Sequence, residues 1–205
     1  MTAEPSRSLD DGRHLRSVRT RDAVLNAFLA LLEEGDLSPT AQRIAQRAQV
    51  SARSVYHQFA DVGTIHELAG QRVLARVAGI ASWVDPALPL TERVDSYVRY
   101  RVAVFDVIHP LSSAARVREP FSAVLRANRN GVLTFADDNV RQVFAPELAM
   151  MPTVHRDRLV AAISLATVWS SWYTLTEELG LERPAAIAVM RASTRALLAN
   201  RTEFT

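Results

Sequence analysis

Apolar residues recur at three- and four-residue steps along nearly the whole chain, and no run alternates with period two for long enough to build a sheet. That spacing leaves helices as the regular structure available to it. Val24, Leu25, Phe28, Leu29 and Leu32 mark a first apolar face, which stops near Glu34-Gly35. In "DLSPTAQRIAQRA", Ser38 and Thr40 are N-cap candidates, with Pro39 between them where a missing N–H costs little. Ile44, Ala45 and Ala48 give one short helix an apolar face. Ser51 can cap the next, Val50 can staple to Val55, and Phe59 can close a small core. Asp61 suits the start of a fourth helix, which runs past Ile65, Leu68 and Val73 to about Trp83.

Beyond "DPALP" the segments lengthen. Pro86, Pro89, Pro110, Pro120, Pro146, Pro152 and Pro184 punctuate them. Helices are expected at about 90–108, 120–144, 155–179 and 183–199, with a shorter one near 111–117. The fold class expected is all-α, with a compact N-terminal three-helix unit followed by a larger helical bundle.

Composition removes several kinds of chemistry. There is no cysteine, which excludes disulfides and thiolate metal sites. All 24 Lys+Arg residues are arginine, which excludes Schiff-base and P-loop lysine chemistry. His14, His57, His66, His109 and His155 show no metal-ligand spacing, and no Gly-x-Ser-x-Gly or Gly-rich phosphate loop is present. Asp10-Asp11 and Asp137-Asp138 are adjacent in sequence, so neither pair shares a helix face. No enzyme activity, metal or cofactor is expected from these residues. The N-terminal "MTAEPSRSLDDGRHLRSVRTRD" lacks the apolar core of a signal peptide, so a cytoplasmic location is expected. "LVAAISLATVWSSWYTL" is uncharged over 17 residues, short of the ~20 a bilayer span needs, and reads as a buried helix.

A formal net charge of +2 announces no global basic field, so the distribution of charge carries the functional argument. From Leu37 to Ala60 there is no acid, while Arg43, Arg47 and Arg53 are present; Asp36 and Asp61 stand at the edges. Two short helices joined by a tight turn, the second starting at a serine cap, make a helix-turn-helix. Such a unit sets the N-terminal residues of its second helix against base edges in the major groove. Here those are Ser51, Ala52, Arg53 and Ser54. Arg53 is the natural reader, because a guanidinium can bridge guanine O6 and N7. Tyr56 and His57, one turn later, suit phosphates, as does Thr40 at a helix start. Arg43 can add a backbone contact. Upstream, Arg13, Arg16, Arg19 and Arg21 lie along an expected flexible arm and the first helix turn, fit for a phosphate backbone or a minor groove.

"PTAQRIAQRAQVSARSVYHQFAD", behind an amphipathic helix, resembles the DNA-binding domain of the TetR (tetracycline repressor) family of transcription regulators. Thr40, Ile44, Ala45, Ala48, Val50, Ser51, Tyr56 and Phe59 match the family pattern at fixed spacing, and the match covers about residues 18–70. Ser54 and Val55 replace Thr and Leu. The departures are Gln49 at the turn glycine, Gln58 at the histidine before Phe59, and Val62 at a usual lysine. If the turn position needs positive φ, Gln49 carries a modest strain.

The resemblance implies a helix-turn-helix DNA-binding domain over 18–62 behind a flexible basic arm over 1–17, then a helical ligand-binding and dimerisation domain over 63–205. It also implies a two-fold dimer paired through the last two helices, whose apolar surfaces one core does not absorb. Two recognition helices would then read a palindromic operator in double-stranded DNA.

In the larger domain, Arg101 falls on the apolar face of Val94, Val98, Phe105 and Ile108. A charge there snorkels, pairs with an internal carboxylate, or meets an anionic ligand group. Tyr97, Phe105, Trp169 and Tyr173, with Trp83, Tyr100, Phe121 and Trp172, supply either core or the lining of a cavity. His109 before Pro110 reads as a helix-end residue.

The expected function is a ligand-responsive regulator, a repressor released from its operator by a small hydrophobic or amphipathic effector. The alternative is a DNA-binding protein without a ligand, orphan or architectural. A filled C-terminal domain would favour that alternative, and a mixed aromatic and polar cavity the sensor. No membrane partner is expected.

Overall fold

In a computed structural model, described over residues 6–80, 84–149 and 151–200, all regular structure is helical and no strand occurs among those residues. The chain forms two compact units, Met1–Arg76 with Pro110–Phe121, and Val77–His109 with Ser122–Thr205.

The first unit contains helix α1 (Ser6–Glu33), α2 (Ala41–Arg47), α3 (Ala52–Gln58), and the start of α4 (Val62–Ile80). The last turns of α5 (Leu90–Arg118) and a 3-10 turn, Glu119–Phe121, complete it. Val24, Phe28 and Leu32 of α1, Ile44 of α2, Val55 of α3 and Ile65 of α4 are all at most 2% exposed. Removing each such side chain from water contributes about 1.5–3 kcal/mol. Phe59 caps this core at the end of α3, and the Arg21 guanidinium lies 5.3 Å from its ring centroid.

The second unit holds most of α5, the end of α4, and α6 (Ala123–Val143), α7 (Ala145–Leu148) and α8 (Thr153–Ala166). It also holds α9 (Trp169–Tyr173), which passes into a π-helical turn (Thr174–Glu178), and α10 (Arg183–Ala199). Val94, Tyr97, Val98 and Phe105 of α5 share a core with Phe144, Leu159, Ile163, Met190 and Leu198. Exposed ion pairs tie α10 to α5: Arg183 donates two 2.7 Å hydrogen bonds to Asp106, and Arg195 one of 2.8 Å to Asp95.

Four expectations are corrected. The segment 6–17 is drawn into α1 as helix from Ser6 onward, where an arm was expected. One helix, α5, runs through Pro110, where two were expected, so His109 is a mid-helix residue. The expected helix 155–179 breaks at Thr167-Val168, where Val168 turns extended (φ −86°, ψ 159°). The first unit reaches Arg76 rather than 62 and takes in Pro110–Phe121. The reason is burial: Ile65, His66, Ala69 and Val73 of α4 all face inward, and His66 stands edge-on to Phe28 at 5.7 Å. Trp83 and the Phe121 side chain lie outside the described residues.

Thr153–Glu178 is long and apolar enough to cross a membrane by length and composition, with mean hydropathy 1.2. The break at Thr167-Val168 and the π-helical turn interrupt it, and Leu159, Val160, Ile163 and Trp172 are in the core.

Candidate nucleic-acid interface

The turn between α2 and α3 is built by backbone hydrogen bonds. Val50 N donates to Ala45 O at 3.0 Å and Gln49 N to Gln46 O at 3.2 Å, the two bonds that close a helix in a Schellman motif. Gln49 stands at φ 56° to allow it. The expected strain is therefore present, at a position glycine would hold without a Cβ penalty.

Both expected caps form. Thr40 Oγ1 accepts from Arg43 N at 3.3 Å at the head of α2. Ser51 Oγ accepts from Ser54 N at 3.0 Å at the head of α3, and the two serine hydroxyls share a 2.8 Å hydrogen bond. Ser38 does not cap; its own N–H bonds to Asp36 Oδ1 at 3.3 Å. At the next helix, Asp61 Oδ1 accepts from the Thr64 N–H at 2.7 Å and the Thr64 hydroxyl at 3.0 Å. These bonds lower the Asp61 pKa below its ordinary value.

The eight residues expected at DNA gather on one stretch. Thr40, Arg43, Ser51, Ala52, Arg53, Tyr56 and His57 are exposed, and Ser54 is half-buried. Tyr56, which could have closed the small core, is 61% exposed, so its hydroxyl can meet solvent or a phosphate. Val55 and Phe59 take the core positions instead. Gln58, one of the departures in the motif, serves the packing of the unit, because its Oε1 accepts from Ser17 Oγ at 3.1 Å and ties α3 to α1.

The arginines divide by partner, a division the sequence does not announce. Arg43 pairs with Asp36 at 3.0 Å and Arg47 with Glu34 at 2.6 Å. Arg53, on the first turn of α3, makes no ion pair among the described residues. The acids at the edge of the basic stretch thus neutralise its first helix and leave its second uncompensated.

The residues expected at a ligand are all in the second unit, and they separate into two groups. Tyr97 and Phe105 are core residues, each 0% exposed, the first of the two alternatives the sequence left open for them. The Tyr97 hydroxyl lies 3.0 Å from Thr167 Oγ1, which itself donates to Ile163 O at 2.7 Å; Tyr97 is therefore the donor. Burial pushes the Tyr97 pKa up. Trp169 and Tyr173 are half-buried and sit against His109, their ring centroids 5.9 and 6.2 Å from its own. Arg101 is 3% exposed. Sequence reasoning missed Thr167, which holds both Tyr97 and Arg101, and placed His109 at a helix end. The available signal was the row Arg93, Tyr97, Arg101, Phe105, His109, spaced four residues apart on α5. Among the described residues no three His, Asp or Glu side chains gather as a metal site would require.

No protein-family model matches the chain, and no curated protein matches its sequence.

Proposed function

We propose that the chain is a ligand-responsive DNA-binding transcriptional regulator of the TetR type, a cytoplasmic repressor that a small effector releases from a palindromic operator. The observation that carries this reading is the exposed, acid-free start of α3, where Arg53 stands beside the Ser51 cap with no ion pair among the described residues. A short helix fixed at its N-terminus, carrying an unpaired guanidinium on its first turn, suits insertion into a major groove. Tyr56 and His57 would flank it on phosphates, and Thr40 would meet the backbone at the start of α2.

A homodimer completes the reading. Leu165 and Val154 of α8 are 69% and 58% exposed, and Val189 of α10 is 40% exposed. Paired through these two helices, two copies would present recognition helices to half-sites about 34 Å apart. Leu165→Glu should then lower the mass measured by light scattering to that of a monomer.

Selection from random double-stranded DNA, followed by salt titration of the winning site, tests the function. The expected result is a site with two inverted half-sites, bound far more tightly than random DNA and with a steep negative salt slope. Equal affinity for every sequence, or no binding at about 50 mM salt, would defeat it.

A further inference from the structure

Two arginines on α5 are buried to the same degree and are treated differently. Arg93, 4% exposed, has a counter-ion and uses four of its five N–H donors. Its guanidinium bonds both Glu147 carboxylate oxygens, Val143 O at 3.0 Å and Leu88 O at 2.8 Å. Arg101, two turns on and 3% exposed, makes one protein hydrogen bond among the described residues, from Nε to Thr167 O at 3.0 Å. The Phe105 ring stands 5.1 Å from the guanidinium carbon. No carboxylate pairs with it among the described residues. Burying a cation without an anion costs several kcal/mol, and a single carbonyl does not offset that.

The surroundings indicate what would complete it. Tyr97, one turn before Arg101, donates its hydroxyl hydrogen bond to Thr167 Oγ1 and has none left for an incoming anion. Phe105 covers one face of the guanidinium. One turn further, His109 lies against Trp169 and Tyr173, and all three are half-buried, so an aromatic surface reaches solvent along the same row. At the α8–α9 break, Ser164 Oγ and Trp169 Nε1 are buried and have no hydrogen-bond partner among the described residues.

We infer that the second unit binds a small monocarboxylate whose charged end pairs with Arg101 and whose apolar body lies on the His109, Trp169 and Tyr173 rings. A monoanion is favoured because one buried guanidinium neutralises one charge; a dianionic phosphate would leave a net negative charge in the same apolar surroundings. A planar carboxylate also matches the guanidinium fork. Binding stands on its own; that the acid is the effector rests on the function proposed above.

Titration calorimetry and thermal unfolding of the full-length, DNA-free protein test the binding. The probes are phenylacetate, 4-phenylbutyrate and octanoate, each beside its neutral amide, with phenyl phosphate as the dianion. The expected result is binding of at least one acid, with its amide roughly 10- to 100-fold weaker. Arg101→Met should lose that preference and, without ligand, melt no lower than the wild type, because it removes an uncompensated buried charge. Arg101→Lys, which keeps the charge, should retain part of the preference if Arg101→Met does not fold. Amides that bind as well as their acids, or no binding by any acid, would overturn the inference. So would tighter binding of the phosphate, or an Arg101→Met variant that melts lower and still prefers acids. None of these outcomes bears on sequence-selective DNA binding, which the operator selection measures separately. If both hold, the acid should weaken operator binding by wild type and not by Arg101→Met.

Discussion

Gln49 and Gly35 end consecutive helices with the same pair of backbone hydrogen bonds. At Gly35 (φ 89°), Gly35 N donates to Leu32 O at 3.0 Å and Asp36 N to Leu31 O at 2.9 Å. At Gln49 (φ 56°) the equivalents are Gln46 O and Ala45 O. A left-handed residue with a Cβ costs roughly 1–2 kcal/mol, partly offset because glycine loses more chain entropy on folding. Gln49→Gly should therefore raise the unfolding free energy by about 0.5–1 kcal/mol, read from urea melts. An unchanged or lower midpoint would show that the Gln49 side chain returns what its backbone loses.

The second prediction concerns acid. His66 is 4% exposed, and its pKa is lowered first by burial and then by the positive charge of Arg118; the backbone at Leu111 and at His66 itself opposes this more weakly. The native state therefore holds fewer protons than the unfolded chain wherever free histidine titrates. Its contribution is complete above the unfolded value of 6.5 and is lost as pH falls from there toward the lower native value. Urea midpoints measured from about pH 7.5 to 5 should fall, and His66→Leu should flatten the fall over that interval. An identical slope in the variant would assign the effect to other groups.

What the sequence made legible follows from how local each cause is. The second and third helices, the Thr40 and Ser51 caps and the Gly35 stop are set by residues within four positions of one another, and they stand where expected; the start of α1 at Ser6 does not. The errors arise where a distant partner decides. Pro110 removes one N–H, yet α5 continues, with Phe105 before it and Ala114 after it buried. The break at Thr167 follows from side chains taking backbone acceptors: Thr167 Oγ1 bonds Ile163 O, Ser171 Oγ bonds Leu165 O, and Arg101 takes Thr167 O. No spacing rule contains Arg101, which lies 66 residues away. At the candidate interface the exposed residues were readable from the motif. The pairing of Arg43 and Arg47 with Asp36 and Glu34 was not, because it depends on where α1 ends relative to α2.

The Arg93–Glu147 pair sets a third expectation. The two side chains are 5% and 12% exposed, so water screens them little. Glu147→Ala leaves Arg93 with two backbone carbonyls and no counter-charge. The expected loss is about 3–5 kcal/mol in denaturant unfolding. Arg93→Met with Glu147→Leu should recover most of it, because the cost lies in the orphaned charge. A double variant no better than Glu147→Ala would mean that the pair holds α7 in place by geometry.

The last prediction separates the arginines of the candidate interface. Arg47, paired with Glu34 at 2.6 Å, is already partly neutralised and would exchange one anion for another on meeting a phosphate. Arg53 has no such exchange to make. Arg53→Ala should therefore lose discrimination at one base pair of the selected site, by roughly 5- to 150-fold, with random-sequence affinity little changed. Arg47→Ala should weaken binding to all sequences slightly and lower the salt slope by less than about one ion. Glu34→Gln frees Arg47 and should strengthen binding to every sequence without sharpening selectivity. Affinities measured at two salt concentrations on the selected site and on its single-base variants decide among these. If Glu34→Gln changed nothing while Arg47→Ala weakened binding strongly, Arg47 would already reach DNA past its acid. If Arg53→Ala weakened all sequences alike, Arg53 would be a phosphate contact and the base reader would lie elsewhere on α3.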